Sequence, residues 1–154
     1  MIGKFAAFLR RQHLRALAEE NVRALHTLQP PIMVHFAAGS HEELVLRTEV
    51  GLDAKLAAWE LGEALEYELG RVKAWEAGQL PDLPPDDVQV TDFVLMFMAQ
   101  KQAMKSFLAK FTNSEAEQQG LARTLDEHYA QARSEATEAV IRRRVARQHG
   151  EKSR

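Results

Sequence analysis

The sequence contains no cysteine, so disulfide staples, thiolate metal sites and cysteine nucleophiles are excluded together. Any metal has to be held by carboxylates, imidazoles or water, and a reducing, cytoplasmic setting is the expectation. Long apolar runs are also missing. Nothing approaches the roughly 20 residues that a membrane-spanning helix needs, and Arg10, Arg11, Gln12 and His13 interrupt the N-terminal segment before the apolar stretch of a secretory leader is complete. Proline is confined to Pro30-Pro31 and to Pro81, Pro84 and Pro85, which leaves long segments free to be helical. The six histidines form no Glu-x-x-His or His-x-x-x-His pair, so neither a di-iron carboxylate centre nor a zinc hydrolase site is supported. Structural or surface roles are expected for them, with His35 and His41 the two able to approach a site.

What remains is the composition of an ordinary folded domain. At 154 residues, 45% apolar and 27% charged, the chain is long enough to bury one core and too short for two, so residues 1–154 are read as a single all-helical domain. The net charge of −2 hides a gradient. Lys4, Arg10, Arg11 and Arg15 make residues 1–20 a basic N-terminal helix, and Arg142, Arg143, Arg144 and Arg147 make residues 141–154 a basic C-terminal arm. Such clusters on helices are usually solvated faces, and cations near a helix C-terminus complement its dipole. Nucleic acid is therefore not an expected partner.

Apolar residues recur three and four apart from Gly3 to Gln29, which predicts one or two helices ended by Pro30-Pro31. Ser40 and Glu43 have capping-box spacing and start another helix, which Gly51 is expected to bend or break. Asp53 to Ala77, rich in Ala, Leu and Glu, reads as the strongest helix, stopped by Gly78. Gln79 to Pro85 is a loop. The helix from about Asp86 to Phe111 is apolar nearly all round its first half and should be the most buried element. Ser114 and Glu117 cap a last helix running to about His149, with Leu121, Leu125, Tyr129, Ala132, Ala136, Ala139 and Val140 as its packing edge. There is no strand-like alternation and no internal repeat. The predicted fold class is all-α, a bundle of about five helices.

On a wheel of the Asp53 to Ala77 helix, Leu61, Leu65, Leu69 and Val72 share one side, while Leu52, Leu56, Trp59 and Tyr67 form a second apolar strip containing Glu60 and Glu63. Two carboxylates in an apolar strip need cations, protons or strong donors as partners, and magnesium would suit an all-oxygen set. The plainer alternative is an exposed helix side on which Glu60, Glu63, Glu66 and Glu68 are all surface glutamates.

Lys55 to Ala64 (KLAAWELGEA), followed by Lys73-Ala74-Trp75, resembles the signature region of the dimeric dUTPases, within the all-α nucleoside triphosphate pyrophosphohydrolase superfamily that includes the MazG proteins. Leu25 to Gln29 is similar to that family's first-helix motif, Asp92 to Phe97 to its second metal-binding helix, and Lys110 to Asn113 with Gly120 to its phosphate segment. The motifs occur in the family's order and span about Asn21 to Leu121. The resemblance implies a homodimer that uses Mg²⁺ to hydrolyse dUTP or a related nucleoside triphosphate to the monophosphate and pyrophosphate. It assigns catalysis to Glu60 and Glu63, metal binding to Glu60, Glu63, Asp92 and Gln89, and substrate binding to Gln29, Lys73, Trp75, Lys110 and Asn113.

The sequence departs from the pattern at Gln89, where the family has glutamate. It departs again at Ala116, Glu117 and Leu121, the nearest counterparts of an arginine, a glutamine and a tyrosine. One carboxylate fewer weakens metal binding, and loss of the arginine removes a bidentate phosphate clamp. The expectation is a divergent enzyme with altered substrate choice or rate. The alternative is a catalytically impaired helical-bundle interaction protein that retains the fold.

Overall fold

The computed structural model describes residues 1–28, 39–80 and 90–152, and among these it is all-α. Among the described residues seven helices follow in order: α1 (Ile2–Gln12), α2 (Leu14–Leu28), α3 (His41–Glu60), α4 (Ala64–Glu76), α5 (Val90–Lys105), the single turn α6 (Leu108–Phe111) and α7 (Glu115–Lys152). No helix among the described residues is long and apolar enough to cross a membrane.

The N-terminal helical pattern resolves into two helices because His13 leaves helical geometry, at φ −135° and ψ 15°. Its ring is lodged against Phe8, 4.6 Å between centroids, and Phe107, 5.3 Å. Ser40 caps α3, its Oγ accepting from the Glu43 N–H at 3.2 Å, with Glu42 and Glu43 in the dipole-favoured first turn. The helix then runs through Gly51 without a break.

The predicted Asp53 to Ala77 helix is two helices, and this is the main correction to the sequence reading. At the end of α3 the Gly62 N–H donates to the Trp59 carbonyl at 3.1 Å and the Glu63 N–H to the Ala58 carbonyl at 2.8 Å, with Gly62 at φ +75°. Those two bonds and the left-handed glycine are a Schellman stop. The same motif closes α4 at Gly78, as the sequence predicted, with Gly78 and Gln79 donating to Trp75 and Ala74. Glu60 is thus the last residue of α3 and Glu63 precedes α4, so no continuous helix carries both.

α1 packs on α2 and α3, α2 also on α3 and α5, and α7 lies along α4 and α5. Helix α7 has 38 residues, a rod of about 57 Å. All seven residues predicted as its packing edge are buried, and the alanines among them let the neighbouring helices approach closely. Helix α5 contributes Phe93, Phe97, Ala99 and Ala103 to the interior but leaves Met98 43% exposed, so it is amphipathic rather than apolar all round.

Candidate functional site

Helices α2, α3, α4 and α5 enclose a cavity of about 240 Å³. Its wall is mostly apolar, from Leu25, Leu52, Val72, Trp75, Phe93 and Phe97. Arg47, Gly51 and Arg71 are exposed at its rim, whereas Lys55 and Glu68 are buried in its lining, at 3% and 5% exposure. Arg71 has no ion pair among the described residues.

The polar floor is a connected group. Lys55 Nζ lies 2.5 Å from Glu68 Oε2 and donates to Gln100 Oε1, which also accepts from the Tyr129 hydroxyl at 3.1 Å. The ammonium sits 4.8 Å from the centroid of the Tyr129 ring and 5.7 Å from that of Phe97. Behind the carboxylate, His128 Nε2 is 3.5 Å from Glu68 Oε2, and its ring packs on Trp59 at 4.4 Å. Burial lowers the Lys55 amine below its ordinary pKa against the opposing pull of Glu68. Burial pushes the Glu68 carboxyl upward, but the Lys55 charge and hydrogen bonds from His128 and Lys55 outweigh it and hold the group at about 2. Burial, and then the Glu68 charge, push the Tyr129 phenol well up. Two indole donors, Trp59 Nε1 and Trp75 Nε1, are buried without a hydrogen-bond partner among the described residues, and the Trp75 side chain lines the cavity. A buried orphan N–H is costly unless a ligand or water meets it.

Among the described residues to which the family resemblance assigns a catalytic, metal or substrate role, Trp75 alone lines this cavity. Glu60, 17% exposed, is held by Arg10 at 2.9 Å and Arg11 at 3.2 Å, and Arg10 also binds Asp53 at 2.8 Å. Its apolar-strip position is therefore compensated by two guanidinium groups. Glu63 is exposed in the turn after Gly62, and Asp92 is buried in the first turn of α5. Lys73 is exposed on α4, Lys110 has its ammonium 5.0 Å from the Phe107 ring centroid, and Asn113 lines a separate groove at the α6–α7 junction with Thr112 and Ser114. Gln29, Gln89, His35 and the apolar stretch Ile32 to Ala38 lie outside the described residues.

Among the described residues no three His, Asp or Glu side chains are grouped to hold a metal ion. With Glu60 committed to two arginines, the described side chains do not fit a magnesium site. The residues that do converge, Lys55, Glu68, Gln100, His128 and Tyr129, were not read as a site in the sequence, where Tyr129 was a packing residue and Glu68 a surface glutamate. A signal for two of them was present. Lys55 is flanked by Leu52, Leu56 and Trp59, and Glu68 stands in the column Ala64, Val72 and Trp75, so both interrupt apolar helix faces.

Comparison with family models, curated proteins and solved structures gives no match for this chain.

Proposed function

We propose that this protein binds a small organic anion with a flat ring in the cavity between α2, α3, α4 and α5. The carrying observation is the composition of that cavity: an aromatic and aliphatic wall, a buried polar floor at Lys55, Glu68 and Gln100, and the Arg71 cation at the rim. This combination of an apolar body with a few placed polar groups is what small-molecule sites use. A cavity of roughly 150 Å³ admits benzene. The 240 Å³ here suits one substituted ring and leaves a longer anionic chain to reach outward past Arg71. A nucleotide is the member of this ligand class that the family resemblance implies. Because the described carboxylates do not gather around a metal, the proposal is binding without pyrophosphate release, as in a catalytically impaired relative.

Calorimetric titration with uridine, dUMP, dUTP and dATP, each with and without Mg²⁺, tests this, with pyrophosphate release followed in parallel. A saturable ligand is expected, weakened about ten- to a hundredfold in Arg71→Ala, since a charge-assisted hydrogen bond contributes about 1.5–3 kcal/mol. Gly51→Phe should block it, because a side chain at Gly51 starts from open space on the cavity lining. Binding untouched by Gly51→Phe, or no binding by any member of the panel, refutes the proposal. Rapid Mg²⁺-dependent pyrophosphate release would restore the hydrolase reading instead.

A further inference from the structure

We infer that Lys55 is a reactive amine, and that the cavity takes anionic aldehydes or ketones, which Lys55 binds covalently as an imine. The inference rests on the cavity being a ligand site.

A buried ion pair is poor support for a fold, because desolvating the two charges costs several kcal/mol per ion and apolar residues of similar size serve as well. Lys55 and Glu68 nevertheless stand on the lining of the cavity that α2, α3, α4 and α5 leave open. Lys55 also differs from an ordinary surface lysine in three ways. Its side chain is 4% exposed, its nitrogen is fixed by Glu68 and Gln100, and its charge is disfavoured by burial. A desolvated lysine on the lining of a largely apolar cavity is the arrangement that imine-forming lysines use.

The chemistry balances without a redox partner. The ammonium releases a proton to solvent through the cavity mouth, and the freed lone pair attacks the carbonyl carbon. A C–N bond forms as the carbonyl π bond breaks, and the oxygen takes the proton shed by the nitrogen to become the carbinolamine hydroxyl. That hydroxyl takes a proton from solvent and leaves as water, and the C=N bond closes. An ammonium and a carbonyl compound thus become a protonated imine and water. One positive charge stands beside Glu68 before and after, and the Glu68 carboxylate, held at about 2, stays ionised as its counter-ion. His128 Nε2 lies 3.5 Å from the same carboxylate oxygen. Arg71 at the rim selects carbonyl compounds that carry a carboxylate or phosphate.

The probe is 4-formylbenzoate, a single ring with an aldehyde at one end and a carboxylate at the other. The full-length protein is incubated with it and sodium cyanoborohydride near pH 7, and the reduced adduct is located by peptide mass mapping. Lys55 is expected to be modified at least tenfold faster than the exposed lysines Lys73 and Lys110. That preference should be abolished by Gly51→Phe, which keeps Lys55 but fills the cavity, and slowed by Glu68→Gln. Lys55→Arg keeps the charge and removes the adduct, and Gly51→Phe covers the case in which this variant does not fold. Labelling of Lys55 no faster than that of Lys73 and Lys110 overturns the inference. Titration with 4-(hydroxymethyl)benzoate, which cannot form an imine, separates the two claims. If it binds while Lys55 stays unlabelled, the reactive amine falls and the ligand site stands. If neither happens, both fall.

Discussion

Cutting the Lys55–Glu68 pair from one side and then from both measures what the polar floor costs the fold. Lys55→Met leaves a buried carboxylate with His128 as its remaining neighbour in the floor. Glu68→Leu leaves a buried ammonium with the Gln100 oxygen and two aromatic faces. Removing one partner of a buried pair costs about 3–5 kcal/mol, because the surviving charge keeps its desolvation penalty and loses its compensation. For a chain of this length that is roughly a 10–15 °C fall in Tm. The double variant Lys55→Met/Glu68→Leu removes both charges and keeps approximate volume beside Phe97, Val72 and Trp75. It should lie within about 1 kcal/mol of the native chain, or above it. The coupling energy, obtained from urea unfolding followed by circular dichroism at pH 7, is then at least about 3 kcal/mol, with both single variants poor and the pair restored. Single variants that each lose under about 1 kcal/mol would refute the argument, because water would then be reaching the pair and the floor would not be a low-dielectric site.

The same pair sets an acid limb. Glu68 is held near 2, below its unfolded value, so its contribution is fully present above about pH 5 and is lost as pH falls toward 2. That loss amounts to roughly 3 kcal/mol, and Glu68→Gln should flatten unfolding free energy over this window even though it lowers stability at pH 7. The glycines give opposite signs. Gly51→Ala lies inside α3 with open space for its Cβ and should stabilise by about 0.5–1 kcal/mol, whereas Gly62→Ala forces an L side chain to φ +75° and should destabilise by about 1 kcal/mol or more in the same melts. Leu125→Ala, at a fully buried position of α7, should cost about 2–5 kcal/mol, and a loss under about 1 kcal/mol would mean that α7 is not the lid of the core.

Helix α7 was the most legible element, because long stretches of period-3.6 burial with alanine at the contact survive any detail of tertiary packing. The caps at Ser40 and Ser114 were legible for the same local reason, each being settled within one turn. Gly62 was not. Gly51, Gly70 and Gly120 all lie inside helices, and a glycine costs a helix interior only about 1 kcal/mol, so nothing local marks Gly62 as the one that stops. Overlooking that stop put Glu60 and Glu63 on a shared face they do not have. The partners of Glu60 come from α1, far back in the sequence, and no spacing rule within α3 reaches Arg10 or Arg11. The floor was hidden similarly: Lys55, Glu68, Gln100 and Tyr129 come from four helices, the first three each look like solvated polar residues alone, and Tyr129 reads only as a packing residue.

The division of labour around the cavity also orders events during synthesis. The walls come from α2 to α5 and are complete once Lys105 has emerged, but His128 and Tyr129, which shut the back of the floor, are still to be made. Until α7 docks, His128 and Tyr129 do not cover the Lys55 ammonium and Glu68 carboxylate, so the pair is less desolvated on that side. The nascent bundle can therefore collect its helices around a hydrated ion pair, and the last long helix, on arriving, converts that ordinary surface pair into the dry interior one.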